Sequence, residues 1–196
     1  MDVSDNDLRI YVLGADTGFR SFGLSKVQIY PELKVVAFTT FLVKASKDDP
    51  DKKTEVILEV GQTMGKNVGD WIEENFKDTP PTVIAAEGIS IPQKGGPSVA
   101  LKLGVGWGIL MTHAARYGIP IFQRFPATLK QHITGKRTTS KKEMQSALES
   151  EWGVDFKDML LTHREHAADS IAAAITVAQT EKMVKATLNA VTSHVS

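Results

Sequence analysis

The sequence contains no cysteine. That excludes a disulfide framework, a thiolate zinc site and a cysteine nucleophile. It has no apolar run near the ~20 residues that cross a bilayer. Its first residues, MDVSDNDLRI, are acidic and lack the basic-then-apolar order of a secretory signal. A cytoplasmic protein with no membrane association is therefore expected. Repeats and low-complexity tracts are missing as well. What remains is ordinary for a folded domain, since 42% of the 196 residues are hydrophobic and that suffices for a core. The expected organisation is a flexible acidic tail over residues 1–7 and a single domain over 8–190.

Net charge is also missing, because 23 Lys and Arg balance 23 Asp and Glu. The balance hides a strong segregation. Between Glu87 and Glu143 there is no acid, and nine bases occur: Lys94, Lys102, Arg116, Arg124, Lys130, Lys136, Arg137, Lys141 and Lys142. A segregated field of this kind suggests a polyanion surface beside an acidic patch. The plainer alternative is a solvated basic face.

Hydrophobic patterning predicts strands over Leu8–Leu13, Phe22–Tyr30 and Val35–Val43. In the first, Ile10 and Val12 share one face, Tyr11 and Leu13 the other, and Gly14–Gly18 interrupts it. Lys44–Lys53 reads as a charged loop, and Val56, Ile57, Val60, Met64, Val68, Trp71 and Ile72 space a helix over Thr54–Phe76. Val83–Ala86 has the look of a buried central strand. A Gly- and Pro-containing loop over Gly88–Pro97 precedes a helix over Ser98–Tyr117. A short strand (Ile119–Phe122), a short helix (Pro126–Ile133) and a basic loop (Gly135–Ser140) follow. Ser140 with Glu143 forms a capping-box pattern for a helix to Trp152, and Thr162 with Glu165 repeats it for a last helix from His163 to about Leu188. Antiparallel strands leading into a helix-linked sheet make an α/β architecture.

Three places carry possible chemistry. Asp16 shares the face of Ile10 and Val12, where an acid is costly without a partner or a metal. Glu87 ends the buried run Val83-Ile84-Ala85-Ala86, near the crevice where α/β folds bind ligands. His166 and Asp169 are three apart and share a helix face, with Ala167 and Ala168 allowing close approach to a sheet. Asp16-Thr17-Gly18 also matches the aspartic-protease triplet, but that enzyme needs two, and the phosphate loop of actin-like ATPases, which need a longer chain. Three carboxylates and an imidazole, brought from two strands and one helix, would suit hard cations such as Mg²⁺ or Mn²⁺. Two such ions roughly 4 Å apart can hold the attacking water and leaving oxygen of a phosphoryl displacement.

Four segments in order resemble the RuvC Holliday-junction resolvases of the RNase H-like nucleases, over about Ile10–Ala178. LGADTGFRSFGLSKV is similar to the family's first strand with its first catalytic Asp. VIAAEGI is similar to the strand ending in the catalytic Glu. SVALKLGVGWGILMTHAARYGIPIFQRFPATLKQHITGKRTTSKKEMQ resembles the central helix, next strand and basic loop. HAADSIAAAI resembles the last catalytic pair, with His166 in place of an acid, as in some members.

The resemblance implies an RNase H-like fold: a mixed five-stranded sheet, three antiparallel strands first and then two parallel, flanked by helices. It implies catalytic and metal-binding roles for Asp16, Glu87, His166 and Asp169, with two Mg²⁺ ions per site and Mn²⁺ as a substitute. It places Lys130 and Lys141 where the family keeps two DNA-contacting lysines, and Lys94, Lys102, Lys136, Arg137 and Lys142 join them as expected DNA contacts. The implied activity is metal-dependent cutting of four-way and other branched DNA to 5′-phosphate and 3′-hydroxyl ends, by a homodimer. The alternatives are an RNase H-like nuclease for hybrid or flap substrates, and a junction-binding module that does not cut. The family's wedge aromatic falls on Ser90, a departure that touches junction distortion. The neutral net charge and acidic start would suit a divergent member, such as a bacteriophage one.

Overall fold

The computed structural model describes residues 8–44, 53–88 and 96–195. The expected acidic tail, Lys94, Ser90 and most of the Lys44–Lys53 loop lie outside these residues. Three strands open the fold: β1 (Ile10–Thr17), β2 (Ser21–Tyr30) and β3 (Lys34–Leu42). Then follow α1 (Lys53–Phe76), β4 (Val83–Glu87), α2 (Gly96–Tyr117) and β5 (Ile121–Arg124). Four helices close it: α3 (Pro126–Thr134), α4 (Lys141–Trp152), α5 (Leu161–Thr180) and α6 (Lys182–Val195). The sheet order is β3-β2-β1-β4-β5. β1–β2 and β2–β3 are antiparallel, whereas β1–β4 and β4–β5 are parallel. This is the mixed five-stranded sheet expected.

Strand parity divides the core. Ile10, Val12, Val83 and Ala85 face α5, with α3, α4 and α6 packed around that helix. Tyr11, Leu13, Ala15, Ile84 and Ala86 face α1 and α2, and meet Met64, Val68, Ile72 and Leu110. α5 is buried along Ala167, Ala168, Ile171, Ala172, Ala173, Ala174 and Ile175. Its small side chains let the axis press on the sheet where β1 and β2 carry Gly14 and Gly23. A Cβ on Gly23 would collide with the carbonyl of His166, and one on Gly14 with that of Ser170. The two glycines thus hold the catalytic-looking turn of α5 directly over the strands.

Several boundaries differ from the sequence expectation. β1 does not stop at Gly14 but continues through Asp16, because β2 pairs with it to the end and sets Asp16 opposite Gly23. α5 begins at Leu161 behind Leu160, which offers no side-chain cap. Glu165 is diverted from the expected capping box to an ion pair with Lys141, and Arg164 instead ties the turn by donating to the carbonyls of Met159 and Lys157. The expected single last helix is two. Glu181 leaves helical geometry (φ −79°, ψ 126°), accepts from Arg124 at 2.7 Å, and accepts the Lys182 backbone N–H at 3.1 Å. The capping box at Ser140 and Glu143 is present as expected. In α2, Gly106 packs inside the chain, 3.1 Å from a Cβ position to the Gly18 carbonyl, while Gly104 and Gly108 face open space among the described residues.

Candidate metal centre and nucleic-acid face

Asp16 and Glu87 end adjacent parallel strands. Ala15 pairs with Ala86, so the next residue of each strand stands side by side at the same sheet edge. Their parity turns both toward α5. Asp169 comes from α5, one turn after His166. Carboxylate oxygens of Asp16, Glu87 and Asp169 all lie within 4.8 Å of one another. His166 stands beside this cluster, with Nδ1 and Asp16 Oδ2 sharing a hydrogen bond at 2.5 Å. His163, one turn earlier, is engaged through its backbone: its N–H donates to the Leu160 carbonyl at 2.8 Å and its carbonyl accepts from Thr40 at 2.9 Å.

The electrostatics are those of crowded acids. Burial, then the charges of Asp16 and Asp169 and a hydrogen bond from the protonated Glu87 to Asp16, push the Glu87 carboxyl up to about 9, against a smaller pull from Lys130. Burial and the charge of Asp16 raise Asp169 to about 7, countered by His166, Lys141 and Lys130. The hydrogen bond that the protonated His166 ring donates to Asp16 raises His166, against its burial. Three clustered carboxylates that cannot all ionise comfortably call for a compact positive charge. The donor set is oxygen throughout, which hard divalent cations prefer over soft ones. Asp16, Glu87 and Asp169 therefore fit a divalent metal.

The cleft at this centre is lined by Glu87, Pro126, Lys130, Lys141, Met144, Gln145, Glu165, Ala168 and Asp169. Lys130 comes from α3 and Lys141 opens α4, so the two lysines singled out from the sequence do meet the acids. The basic field is less free than the sequence count suggested. Arg116 pairs with Glu73, Arg124 with Glu181 and Lys141 with Glu165, acids from outside the acid-free stretch. Among the described residues, Lys102, Lys130, Lys136, Arg137 and Lys142 have no ion pair. Lys136, Arg137 and Lys142 are exposed around the α3–α4 turn next to the cleft. Lys102, on α2, does not line the cleft; its Nζ is 5.9 Å from the ring centre of Phe19, three residues along the chain from Asp16.

Glu165, Gln145 and Phe125 escaped the sequence reading. Glu165 looked like a cap residue, and Gln145 had no signal. Phe125 carried one: it is an aromatic directly before a helix-opening proline, where a capping side chain is the norm.

A β3-β2-β1-β4-β5 sheet, with acids closing β1 and β4 and a third on the helix across them, defines an RNase H-like architecture with an acidic centre. The match to the profile described as crossover junction endodeoxyribonuclease RuvC spans residues 12–177, and the chain belongs to that family. The protein of that name from Corynebacterium glutamicum is 29% identical over 133 residues, 68% of this chain and 55% of its own length. This chain thus spans little more than half of that relative. The one from Chlamydia caviae is 25% identical over 169 residues, 86% of this chain and 92% of its own. The Thermus thermophilus RuvC structure solved with a Holliday junction superposes with a TM-score of 0.66 at 22% identity, covering 89% of this chain and 96% of that one.

Proposed function

We propose that the protein is a divalent-metal-dependent endodeoxyribonuclease that resolves four-way DNA junctions and related branched DNA. The observation that carries this reading is the convergence of Asp16, Glu87 and Asp169 within 4.8 Å at the mouth of a cleft edged by Lys130 and Lys141. Membership of the family and the likeness to a junction-bound neighbour support the choice of substrate. Asp16, Glu87 and Asp169 would hold Mg²⁺, with Mn²⁺ as a substitute, and His166 joins the set if two ions bind. Such ions supply charge neutralisation at both oxygens of an in-line displacement, giving 5′-phosphate and 3′-hydroxyl ends.

The chain's own groups do the rest. Asp16 is held by the β1–β2 pairing and by its hydrogen bond to His166, so its carboxylate is fixed before substrate arrives. Lys130, Lys141 and Lys142, with Lys136 and Arg137, pair with phosphates and set the strand's register. Lys141 must exchange Glu165 for a phosphate oxygen as DNA enters.

A four-way junction takes two symmetric cuts, which a C₂ homodimer supplies. Leu101, Gly104, Gly108 and Met111 lie on one face of α2, with Leu101 and Met111 more than half exposed, and offer a second copy a close approach. Among the described residues no helix is long and apolar enough to cross a membrane, and action on DNA in the cytoplasm follows from the proposal.

The test offers a four-way junction, a flap and an RNA–DNA hybrid to the protein in Mg²⁺. Paired symmetric nicks in the junction are expected. Preference for hybrid or flap, or junction binding with no cleavage, would overturn the assignment.

A further inference from the structure

Phe125 breaks a local rule. It is the N-cap of α3, with extended geometry (φ −69°, ψ 150°) and no side-chain capping bond. Ser, Thr, Asp or Asn at such a position accepts a free backbone N–H, and an aromatic gives up that stabilisation. The ring is not repaid by burial either, being 62% exposed. A residue that costs a cap and exposes an apolar face without gain in packing points to function.

Its place in the fold says which. Glu87 pairs with Arg124 at the end of the β4–β5 ladder, and the Gly88 N–H donates to the Arg124 carbonyl at 2.8 Å. The chain therefore sets Phe125 beside Gly88, the residue directly after the cluster's glutamate. A Cβ on Gly88 would stand 3.1 Å from Cδ1 and 3.4 Å from Cε1 of the ring, so the ring lies against that backbone. Pro126, the next residue, lines the cleft with Glu87 and Lys130. The first helical position being proline fixes the backbone on which the ring stands. The result is a pre-positioned aromatic surface at the rim of the acidic centre, with a phosphate-seeking lysine one turn away.

We infer that Phe125 stacks on a nucleobase of the branched substrate, unpaired or splayed at the branch point, and so positions the adjoining phosphate over Asp16, Glu87 and Asp169. Aromatic faces take any base in this way, because every base has a π-face. The inference rests on the proposed nuclease reading. It adds to that reading a substrate-binding residue that acts through the base rather than the phosphate.

Three variants test it: Phe125→Tyr, Phe125→Ala and Phe125→Ser, each in the full chain. Cleavage of a four-way junction is measured in Mg²⁺. Binding is measured in an Asp16→Asn background against salt, and a 2-aminopurine at the branch point reports stacking. Phe125→Ala and Phe125→Ser are expected to lose about tenfold in junction binding or cleavage, within the range for removing one aromatic–base stack. Phe125→Tyr should retain near-wild-type values. The salt slope should not change, because no charge is removed. Only Phe125 and Phe125→Tyr should alter 2-aminopurine emission. Phe125→Ser should also melt about 2–4 °C higher, since it restores a cap.

If wild type cuts junctions and the Ala and Ser variants cut them equally well, the stacking role is refuted while the nuclease reading stands. A drop in melting temperature that accounts for the lost activity makes Phe125 structural and also refutes it. A wild-type protein inactive on junctions refutes the parent reading, and this one with it.

Discussion

Glu87→Gln should stabilise the metal-free protein while destroying the proposed nuclease. The buried carboxyl is raised to about 9 in the fold, against about 4.3 in an unfolded chain. Between those values the native state holds a proton that the unfolded state has released. Stability therefore falls as pH rises from about 4.3 toward 9. Each unit is worth about 1.4 kcal/mol, so the ceiling at pH 7.5 is about 4 kcal/mol. The carboxyl is partly exposed and shares its protonation with Asp16 and Asp169, which brings the expectation to about 1–2 kcal/mol. Gln keeps the shape and has nothing to ionise. In EDTA at pH 7.5 it should melt about 3–6 °C above wild type for a chain of this size. At pH 5 the gain should shrink to about a quarter, because that pH lies less than one unit above the unfolded value of about 4.3. Saturating Mg²⁺ should reverse the order. A ligand at 100 times its dissociation constant adds about 2.7 kcal/mol to a wild-type fold that binds it, and the variant has lost one of three carboxylates. Thermal melts at two pH values, with and without Mg²⁺, read all of this. A Glu87→Gln protein that melts below wild type in EDTA at pH 7.5, or that gains as much from Mg²⁺ as wild type does, would refute the reasoning.

Three further predictions follow from the same centre. Asp16→Asn should abolish junction cleavage and leave binding near wild type, since the amide keeps shape and loses the charge; a variant with comparable cutting removes Asp16 from the site, and Asp169→Asn should behave likewise. Junction affinity should fall steeply with salt, with a log–log slope of about −4 or steeper if several bases touch phosphate; a flat response on titrating NaCl would make the basic stretch a solvated face. Cleavage should rise with pH along a limb above the ordinary histidine range of about 6.5, because Asp16 raises His166 and a metal-ligating imidazole must be neutral. His166→Asp should keep substantial Mg²⁺-dependent cleavage and move that limb down, and an unshifted pH–rate profile would take His166 out of it. The same raised value means that the His166–Asp16 pair stabilises the fold below about pH 6.5 and loses that contribution as pH passes the folded pKa.

Periodicity decides which face a side chain takes, and that part of the site was legible in the sequence. Parity placed Asp16 with Ile10 and Val12, and the three-residue spacing placed His166 with Asp169. Neither rule says which strands are neighbours. That Asp16 and Glu87 meet depends on β4 inserting beside β1 rather than β3, and only the resemblance to a known fold supplied it. The misread boundaries share one physical cause. The end of α5 at Glu181 answers to Arg124, 57 residues away, and the abandoned cap at Glu165 answers to Lys141, 24 residues away. A local rule scores a residue against its neighbours, and here the stronger partner came from elsewhere in the chain. The same pairs change the electrostatic argument. Counted along the sequence, the acid-free stretch is a uniform field, but folding neutralises Arg116 and Arg124 against distant acids and leaves Lys130, Lys136, Arg137 and Lys142 around the cleft. Four bases of that stretch with no ion pair among the described residues thus stand around the cleft where Asp16, Glu87 and Asp169 concentrate the negative charge. That juxtaposition is what a metal-assisted cut in a polyanion requires, and charge counting alone could not have located it.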